Sequence, residues 1–197
     1  LWISPANENT PKVEQESVEP GRYFTSYHGY WPTSSTKTNP PFGSMEELQN
    51  LVDTAHDHGI AVLLDFVANH VHEDHPLFQA NPDLKTPLIL PDGEENIRKF
   101  DEHPLTTWFD TFLPTLDYVN NPDAIDVMTD NGVWWIEETG ADGFRHDAVK
   151  HIPKDFWRQL TAKLENQIKD RHAYQVGETI SGHDTVTEYL SPHLLDG

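Results

Sequence analysis

The chain of 197 residues contains no cysteine, and it has only 13 lysines and arginines against 33 aspartates and glutamates. Without cysteine there is no disulfide framework, so the redox state of the compartment stays open. The formal charge of −20 at pH 7 argues against nucleic acid or an anionic membrane surface as a partner. We therefore expect a neutral or cationic ligand, while the oligomeric state stays unknown.

Long apolar runs are also missing, since no stretch approaches the roughly 20 apolar residues that a membrane-spanning helix needs. Apolar residues make up 36% of the chain, and 11 glycines and 15 prolines accompany them. This composition is typical of a globular protein with substantial loops. Because Leu1 opens directly on a strand-like run and Gly197 ends as abruptly, we expect both termini to be cuts in a longer protein.

Three segments with helical apolar spacing are each followed by a short apolar run of the kind that forms a buried parallel strand. The helical segments begin at a capping box at Ser44, at Pro122 and at Pro153. The strand-like runs are residues 60–67, 143–147 and 174–178, with 1–4 as a fourth. The alternation predicts a parallel α/β fold, either an open doubly wound sheet or part of a barrel. No glycine-rich phosphate-binding turn follows any of these runs, which argues against a nucleotide site.

Three carboxylates, Asp65, Asp147 and Glu178, stand at the carboxyl ends of different predicted strands, where parallel α/β folds assemble active sites. One carboxylate at such a place is more often a helix cap or a loop anchor, but three with their neighbours favour a functional site. Arg145 shares a strand face with Asp147 and is expected to keep it ionised, although a structural ion pair explains these two residues equally well.

Glu178 follows Gly177, a residue that lets another group approach the backbone closely. To act as an acid, Glu178 would have to keep its proton beside the charge of Asp147. If the two carboxyl groups stand about 5–5.5 Å apart, the chemistry is that of a retaining glycosidase.

Five motifs, in order along the chain, resemble those of the α-amylase family of retaining glycoside hydrolases. They are YHGYW at 27–31, DFVANH at 65–70, LPTLD at 113–117, GFRHDAVKH at 143–151 and VGE at 176–178. The motifs at 65–70 and 143–151 are long and specific, whereas the last is short and persuasive by position, and LPTLD is weak by itself. The resemblance covers essentially the whole chain.

The resemblance implies an incomplete (β/α)8 TIM barrel, comprising about strands two to five, with a small inserted domain after the third strand. Residues 1–69 and 118–197 would form the partial barrel, and 70–117 the inserted domain. A complete barrel takes about 250 residues, and the family's later catalytic Asp, preceded by Asn-His, does not occur after Glu178. Because a partial barrel leaves strand edges unpaired, we expect the isolated chain to be poorly stable and inactive, unlike the full-length protein.

Carried over residue by residue, the resemblance makes Asp147 the nucleophile, Glu178 the general acid/base and Arg145 the group that positions Asp147. Lys150 and His151 resemble the form found in starch-cleaving amylases, where both line a leaving-group subsite, so a long α-1,4-glucan is the implied substrate. The residues expected to bind substrate are His28, Tyr30, Asp65, His70, Lys150 and His151.

The resemblance also implies a structural calcium between the barrel and the inserted domain, held by Asn69, Asp117 and the carbonyl of His151. Oxygen ligands of this kind suit calcium, although Thr115 stands where the family commonly has an acidic residue. The histidine-rich stretch 70–75 could instead be read as a transition-metal cluster. Against this, His70 belongs to a sugar-site motif, and exposed histidine-rich loops are usually solvated.

The function implied is hydrolysis of α-1,4-glucosidic bonds in starch-like α-glucans or maltooligosaccharides. One alternative is an α-glucan transglycosylase or an oligo-α-glucosidase that uses the same site. An alternative of another class is a non-catalytic barrel relative acting in binding or assembly, which the retained Asp147, Glu178, Arg145 and His70 disfavour. From the substrate class alone, we expect a secreted or periplasmic location.

Overall fold

The computed structural model describes all residues, 1–197, and contains six strands and five α-helices. The strands are β1 (Trp2–Ile3), β2 (Val13–Gln15), β3 (Tyr23–Thr25), β4 (Leu63–Phe66), β5 (Gly143–His146) and β6 (Tyr174–Gly177). The helices are α1 (Met45–Asp57), α2 (Pro76–Ala80), α3 (Pro122–Thr139), α4 (Lys154–Gln167) and α5 (His183–Thr187). Short 3₁₀ turns occur at Pro82–Leu84 and Val149–His151.

The centre of the molecule is a four-stranded parallel sheet with the order β1-β4-β5-β6. Helices α1, α3 and α4 lie between successive strands along the chain, which confirms the predicted parallel α/β arrangement. The strands are shorter than the apolar runs from which they were predicted: β4 takes only four residues of the run 60–67. Four parallel strands in this order occur both in open sheets and in closed barrels, so the eight-stranded barrel stays a prediction.

The three long helices begin where the sequence predicts. Ser44 caps α1: its Oγ accepts from the backbone N–H of Glu47, and the Glu47 carboxylate accepts from the N–H of Ser44 at 2.8 Å. Gly140 ends α3 in the left-handed conformation, with φ of 72°. None of the helices combines the length and apolar character that crossing a bilayer requires.

The two faces of the sheet differ sharply, because side chains alternate along each strand. One face carries Phe66 and Phe144, whose ring centroids lie 4.9 Å apart within a core cluster shared with the helices. The other face carries Asp65 and Arg145, which are register partners on β4 and β5. The fold therefore buries its aromatic residues beneath the helices and collects its charges on the opposite face.

Gly143 allows β5 and β6 to pair closely. It has a φ of +153°, and a Cβ atom built at this position would lie 1.8 Å from the carbonyl oxygen of Tyr174. Gly177 on β6 is also tightly enclosed, since a Cβ there would lie 2.7 Å from Leu195 and 2.8 Å from Val149. Other groups therefore approach the backbone closely at Gly177, as predicted, whereas Gly143 is the glycine that permits the spacing between the two strands.

The segment 70–117 is mostly irregular and packs against the antiparallel β2–β3 hairpin. Trp31, Phe112 and Leu113 form a small apolar cluster that is separate from the main core. The backbone N–H of Ser17, beside the hairpin, donates to Asp110 of the segment at 3.2 Å. The division into a barrel and an inserted domain bounded at 70 and 117 stays a prediction.

Candidate active site

Arg145 joins the three carboxylates that the sequence analysis singled out. Its Nη1 donates to Asp65 Oδ1 at 3.0 Å and to Asp147 Oδ1 at 3.1 Å, and its Nη2 lies 2.9 Å from Glu178 Oε1. Asp65 lies near the end of β4, Asp147 directly follows β5, and Glu178 directly follows β6. Neighbouring parallel strands therefore deliver all four side chains to one place.

The shared guanidinium also limits the distance between Asp147 and Glu178. Because its two terminal nitrogens sit in a rigid planar fork, the bonded oxygens of the two carboxylates lie within about 8 Å of one another. Retaining glycosidases place such groups about 5–5.5 Å apart, and inverting enzymes about 6.5–9.5 Å apart. The two side chains are close enough to act on opposite sides of one bond.

Asp65 is the most enclosed of the three carboxylates, with a relative exposure of 2%. Its Oδ2 accepts from the hydroxyl of Tyr30 at 2.8 Å and from Trp2 Nε1 at 3.1 Å, in addition to the contacts with Arg145. Burial raises the pKa of Asp65, and hydrogen bonds from Tyr30 and Arg145 oppose this rise. Asp65 thus acts as an anchor that orients Tyr30 and Arg145.

The expectation that Arg145 alone keeps Asp147 ionised needs correction. Burial, followed by the negative charges of Asp65 and Glu178, raises the pKa of Asp147 to about 7, although Arg145 opposes the rise. The reason is that a single guanidinium is divided among three carboxylates, so its charge does not offset the desolvation of Asp147. Asp147 therefore titrates near neutral pH.

Glu178 is more accessible, with 36% of its side chain exposed. Its backbone N–H donates to the carbonyl of His146 at 2.9 Å, and its Oε2 lies 3.3 Å from the backbone N–H of Ala148. It opens on a cavity of about 240 Å³, whose other lining residues are Phe100, Phe109, Ala148, Lys150, His151 and Ile180. The structure thus places the predicted leaving-group residues Lys150 and His151 beside Glu178.

Lys150 and His151 are both held in place by backbone carbonyls. Lys150 Nζ donates to the carbonyl of Ile180 at 3.2 Å, and His151 Nδ1 donates to that of Pro104 at 2.7 Å. Burial lowers the pKa of His151. His151 therefore presents a neutral ring to the cavity near neutral pH.

The three predicted sugar-site residues outside the strands form a linked group. His70 Nε2 donates to the backbone carbonyl of Tyr30 at 3.1 Å, and His28 Nδ1 accepts from the backbone N–H of Tyr30 at 3.0 Å. Burial lowers the pKa of His70 to about 4, so this ring is neutral. The Tyr30 hydroxyl donates to Asp65 and lies 3.4 Å from Arg145, so Tyr30 connects His28 and His70 to the carboxylate cluster.

Asn69 is fully buried, and its Oδ1 has no hydrogen-bond partner. Its orientation is determined by His70: because Nε2 donates to Tyr30, the neutral ring presents Nδ1 as an acceptor, and Asn69 Nδ2 contacts it at 3.3 Å. Oδ1 must then face the other way. A buried carbonyl oxygen without a donor suits a cation with oxygen ligands.

Asp117, another of the predicted calcium ligands, fits less completely. Both oxygens of Asp117 accept from Asn120 Nδ2 at 3.1 Å, and no group of three or more histidine, cysteine, aspartate or glutamate side chains gathers as a metal site. In the histidine-rich stretch, His72 lies 3.2 Å from Glu14, and His75 caps α2. These histidines face different partners, which disfavours the reading as a transition-metal cluster.

Sequence reasoning missed several side chains that line the site. Trp2 lies with its ring 5.1 Å from the guanidinium carbon of Arg145 and also donates to Asp65. Phe100 and Phe109 lie in the irregular segment, where no periodicity marks them. Their ring centroids are 5.1 Å apart, and both rings contact His151. Trp2 could have been identified from the sequence, because it lies on a predicted strand next to the one that carries Asp65.

Comparison with known proteins agrees with this fold. Residues 1–89 match the catalytic domain of α-amylases, and the chain belongs to the α-amylase family. A cyclomaltodextrin glucanotransferase from a Bacillus species is 32% identical over 95% of the chain, and α-amylase 3 of Dictyoglomus thermophilum is 31% identical over 83%.

Among solved structures, the α-amylase of Geobacillus thermoleovorans in complex with acarbose superimposes with a TM-score of 0.78 and 31% identity over the whole chain. The chain spans 27% of the glucanotransferase, 35% of the Dictyoglomus enzyme and 40% of the Geobacillus chain. These relatives are therefore much longer than the chain described.

Proposed function

We propose that the protein is a retaining glycoside hydrolase that cleaves α-1,4-glucosidic bonds in starch-like α-glucans or maltooligosaccharides. The observation that carries this proposal is the single guanidinium of Arg145 in contact with both Asp147 and Glu178 at the ends of adjacent strands. The spacing that follows from this contact admits the retaining geometry. Membership of the α-amylase family supports the same chemistry.

In the proposed reaction, Glu178 donates its proton to the glycosidic oxygen while an Asp147 carboxylate oxygen attacks the anomeric carbon. The bond to the leaving sugar breaks, and a glycosyl ester forms on Asp147. Glu178, now a carboxylate, then removes a proton from water, which attacks the same carbon and releases Asp147. Arg145 holds both carboxylates in position through the two steps.

We infer that the leaving-group side of the proposed site is the accessible side of Glu178. The neutral ring of His151 and the two phenylalanines line the cavity there together with Lys150, and the neutral and aromatic part of this lining suits an uncharged sugar. We propose that the four observed strands belong to an eight-stranded (β/α)8 barrel, since the solved relative that superimposes over the whole chain is an α-amylase.

Transfer to a sugar hydroxyl is a second candidate, favoured by a specific observation. Seven of the curated relatives are cyclomaltodextrin glucanotransferases, with identities of 31–34%. Transfer and hydrolysis share the glycosyl ester on Asp147 and differ only in whether water or a sugar hydroxyl attacks it.

Product analysis tests the proposed reaction. Incubating the intact protein with maltoheptaose should give shorter maltooligosaccharides, and proton NMR of the fresh products should show the α-anomer, because two displacements retain configuration. A protein with Glu178→Gln is the control for background hydrolysis. Initial release of the β-anomer would contradict the retaining mechanism, and products longer than maltoheptaose would assign the protein to the transfer candidate.

We also propose that Asn69 Oδ1, a carboxylate oxygen of Asp117 and the carbonyl of His151 hold a structural calcium. When bound, the ion would supply the missing partner of the buried Asn69 oxygen and join the segment 70–117 to the sheet. The proposal is supported by the forced orientation of Asn69, whereas the hydrogen bonds from Asn120 to Asp117 would have to be replaced.

Removing calcium should therefore lower the melting temperature by roughly 5–10 °C, which corresponds to losing a ligand present at about 100 times its dissociation constant. The measurement is differential scanning calorimetry with a chelator, followed by addition of calcium or magnesium. Calcium, and not magnesium, should restore stability, and Asn69→Ala should make the protein insensitive to the chelator. An unchanged melting temperature with the chelator would contradict the proposed calcium site.

A further inference from the structure

A second cavity lies between the β2–β3 hairpin and the segment 96–113, and the proposed mechanism does not use it. We call it the hairpin groove, and its volume is about 300 Å³. Its main lining residues are Glu16, Phe24, Trp31, Arg98, Phe100 and Phe109. Phe100 and Phe109 also line the cavity beside Glu178, so the two cavities share a wall.

Arg98 fixes the hairpin to the opposite side of the groove. Its Nη1 pairs with Glu16, its Nη2 donates to Asp110 Oδ2 at 3.0 Å, and its Nε donates to the carbonyl of Phe109 at 3.0 Å. The backbone at Arg98 is left-handed, with φ of 52°, which is uncommon for a residue other than glycine. Such strained conformations persist when surrounding contacts enforce them, and they concentrate at functional sites.

The polar side of the groove contains buried side-chain oxygens that lack hydrogen-bond partners. Glu16 has a relative exposure of only 9%, and its Oε2 has no hydrogen-bond partner. The hydroxyl of the adjacent Ser17 is also buried and unpaired. Since a buried polar group without a partner is unfavourable, a ligand hydroxyl that reaches Glu16 Oε2 on binding would supply the missing donor.

The remaining walls suit the same class of ligand. Phe24 is 43% exposed on a three-residue strand, so its ring is available for contact. A pyranose ring has an apolar face formed by C–H groups and an edge of hydroxyl groups, which match an aromatic ring and a carboxylate–guanidinium pair respectively.

We propose that the hairpin groove binds a further glucose unit of a long α-glucan, several units away from the bond that is cleaved at Glu178. This inference rests on the proposed function, because the groove adjoins the cavity beside Glu178 across Phe100 and Phe109. The Glu16 carboxylate accepts from a sugar hydroxyl, and the ring of Phe24 covers one sugar face. Long glucans should thus bind more tightly than short ones.

The experiment is an NMR titration of the ¹⁵N-labelled intact protein with maltotriose and with maltoheptaose. Maltoheptaose should shift the backbone amides of Ser17 and Phe24 together with that of Ala148 beside Glu178, whereas maltotriose should shift only Ala148. Phe24→Ala should weaken maltoheptaose binding about tenfold and maltotriose binding less than about twofold, since one contact worth about 1.4 kcal/mol is lost.

Tyr23→Ala is the matched control, because Tyr23 precedes Phe24 on β3, is 63% exposed and does not line the groove. Glu16→Gln, which keeps the size of the side chain, should lower maltoheptaose affinity in the same direction as Phe24→Ala. Shifts at Ala148 alone, with equal affinity in all variants, would overturn the groove and leave the proposed function standing. Absence of binding by either sugar would overturn both.

Discussion

Replacing Asp147 by Asn in the intact protein should reduce the rate of glucan cleavage by roughly 10⁴–10⁶-fold, the loss seen when an enzyme loses its covalent nucleophile. The amide has nearly the shape of the carboxylate and can still contact Arg145, but it cannot attack the anomeric carbon. Glu178→Gln should cause a similar loss with natural glucans, because their leaving groups need a proton. The measurement is kcat on maltoheptaose by chromatography of the products.

Asp155→Asn provides the matched control, since Asp155 is an exposed residue of α4 whose only ion-pair partner is Arg158. This variant should retain the full rate. Comparable rates in Asp147→Asn and the unmodified protein would place the chemistry elsewhere and would favour the non-catalytic reading.

The same Asp147→Asn variant should gain stability while it loses activity. The pKa of Asp147 is about 7 in the folded protein against an ordinary value of 3.8, so the unfolded chain ionises more easily. The contribution of Asp147 to stability is therefore complete below pH 3.8, declines as the pH rises, and is lost above about 7. Asparagine does not ionise, and urea unfolding at pH 8 should show a gain of ~4 kcal/mol that vanishes near pH 4.

Replacing Gly143 by Ala should prevent stable folding. The new methyl group would lie 1.8 Å from the carbonyl oxygen of Tyr174, and that contact involves two backbones paired in a sheet. Relief requires separating β5 from β6, which also separates Asp147 from Glu178. We expect a loss of at least about 4 kcal/mol, a large fraction of the 5–15 kcal/mol that stabilises a typical domain. Urea unfolding followed by circular dichroism measures it.

Gly59→Ala separates the steric clash from the cost of an unusual backbone conformation. Gly59 also has positive φ, at +71°, but nothing lies within 4 Å of the position of its absent Cβ. This variant should lose only about 1 kcal/mol. Equal effects at positions 143 and 59 would mean that the contact with Tyr174 does not limit the pairing of the strands.

Local sequence rules predicted the elements that carry the site. The capping box at Ser44 and the glycine at 140 define helix ends through contacts within a few residues, and such signals are readable without a structure. The placement of Asp65, Asp147 and Glu178 followed from the rule that parallel strands end at one edge. Their convergence on Arg145 was therefore partly predictable.

What could not be predicted depends on contacts between distant residues. The β2–β3 hairpin is held by Arg98 across 82 positions of sequence, and no periodic pattern marks either partner. The titration of Asp147 near neutral pH depends on how one guanidinium is divided among three acids, which requires distances. The resemblance supplied roles for these residues, but its expectation that Arg145 keeps Asp147 ionised did not take account of this division.

The division of Arg145 among Asp65, Asp147 and Glu178 leaves the reaction centre short of positive charge. Even when Glu178 carries its proton, two acidic groups face a single guanidinium. Cleavage of a glycosidic bond builds positive charge on the anomeric carbon in the transition state. The excess negative charge stabilises an uncharged sugar in the ground state only slightly, but it stabilises the cation-like sugar of the transition state strongly. It therefore lowers the barrier to cleavage more than it strengthens binding.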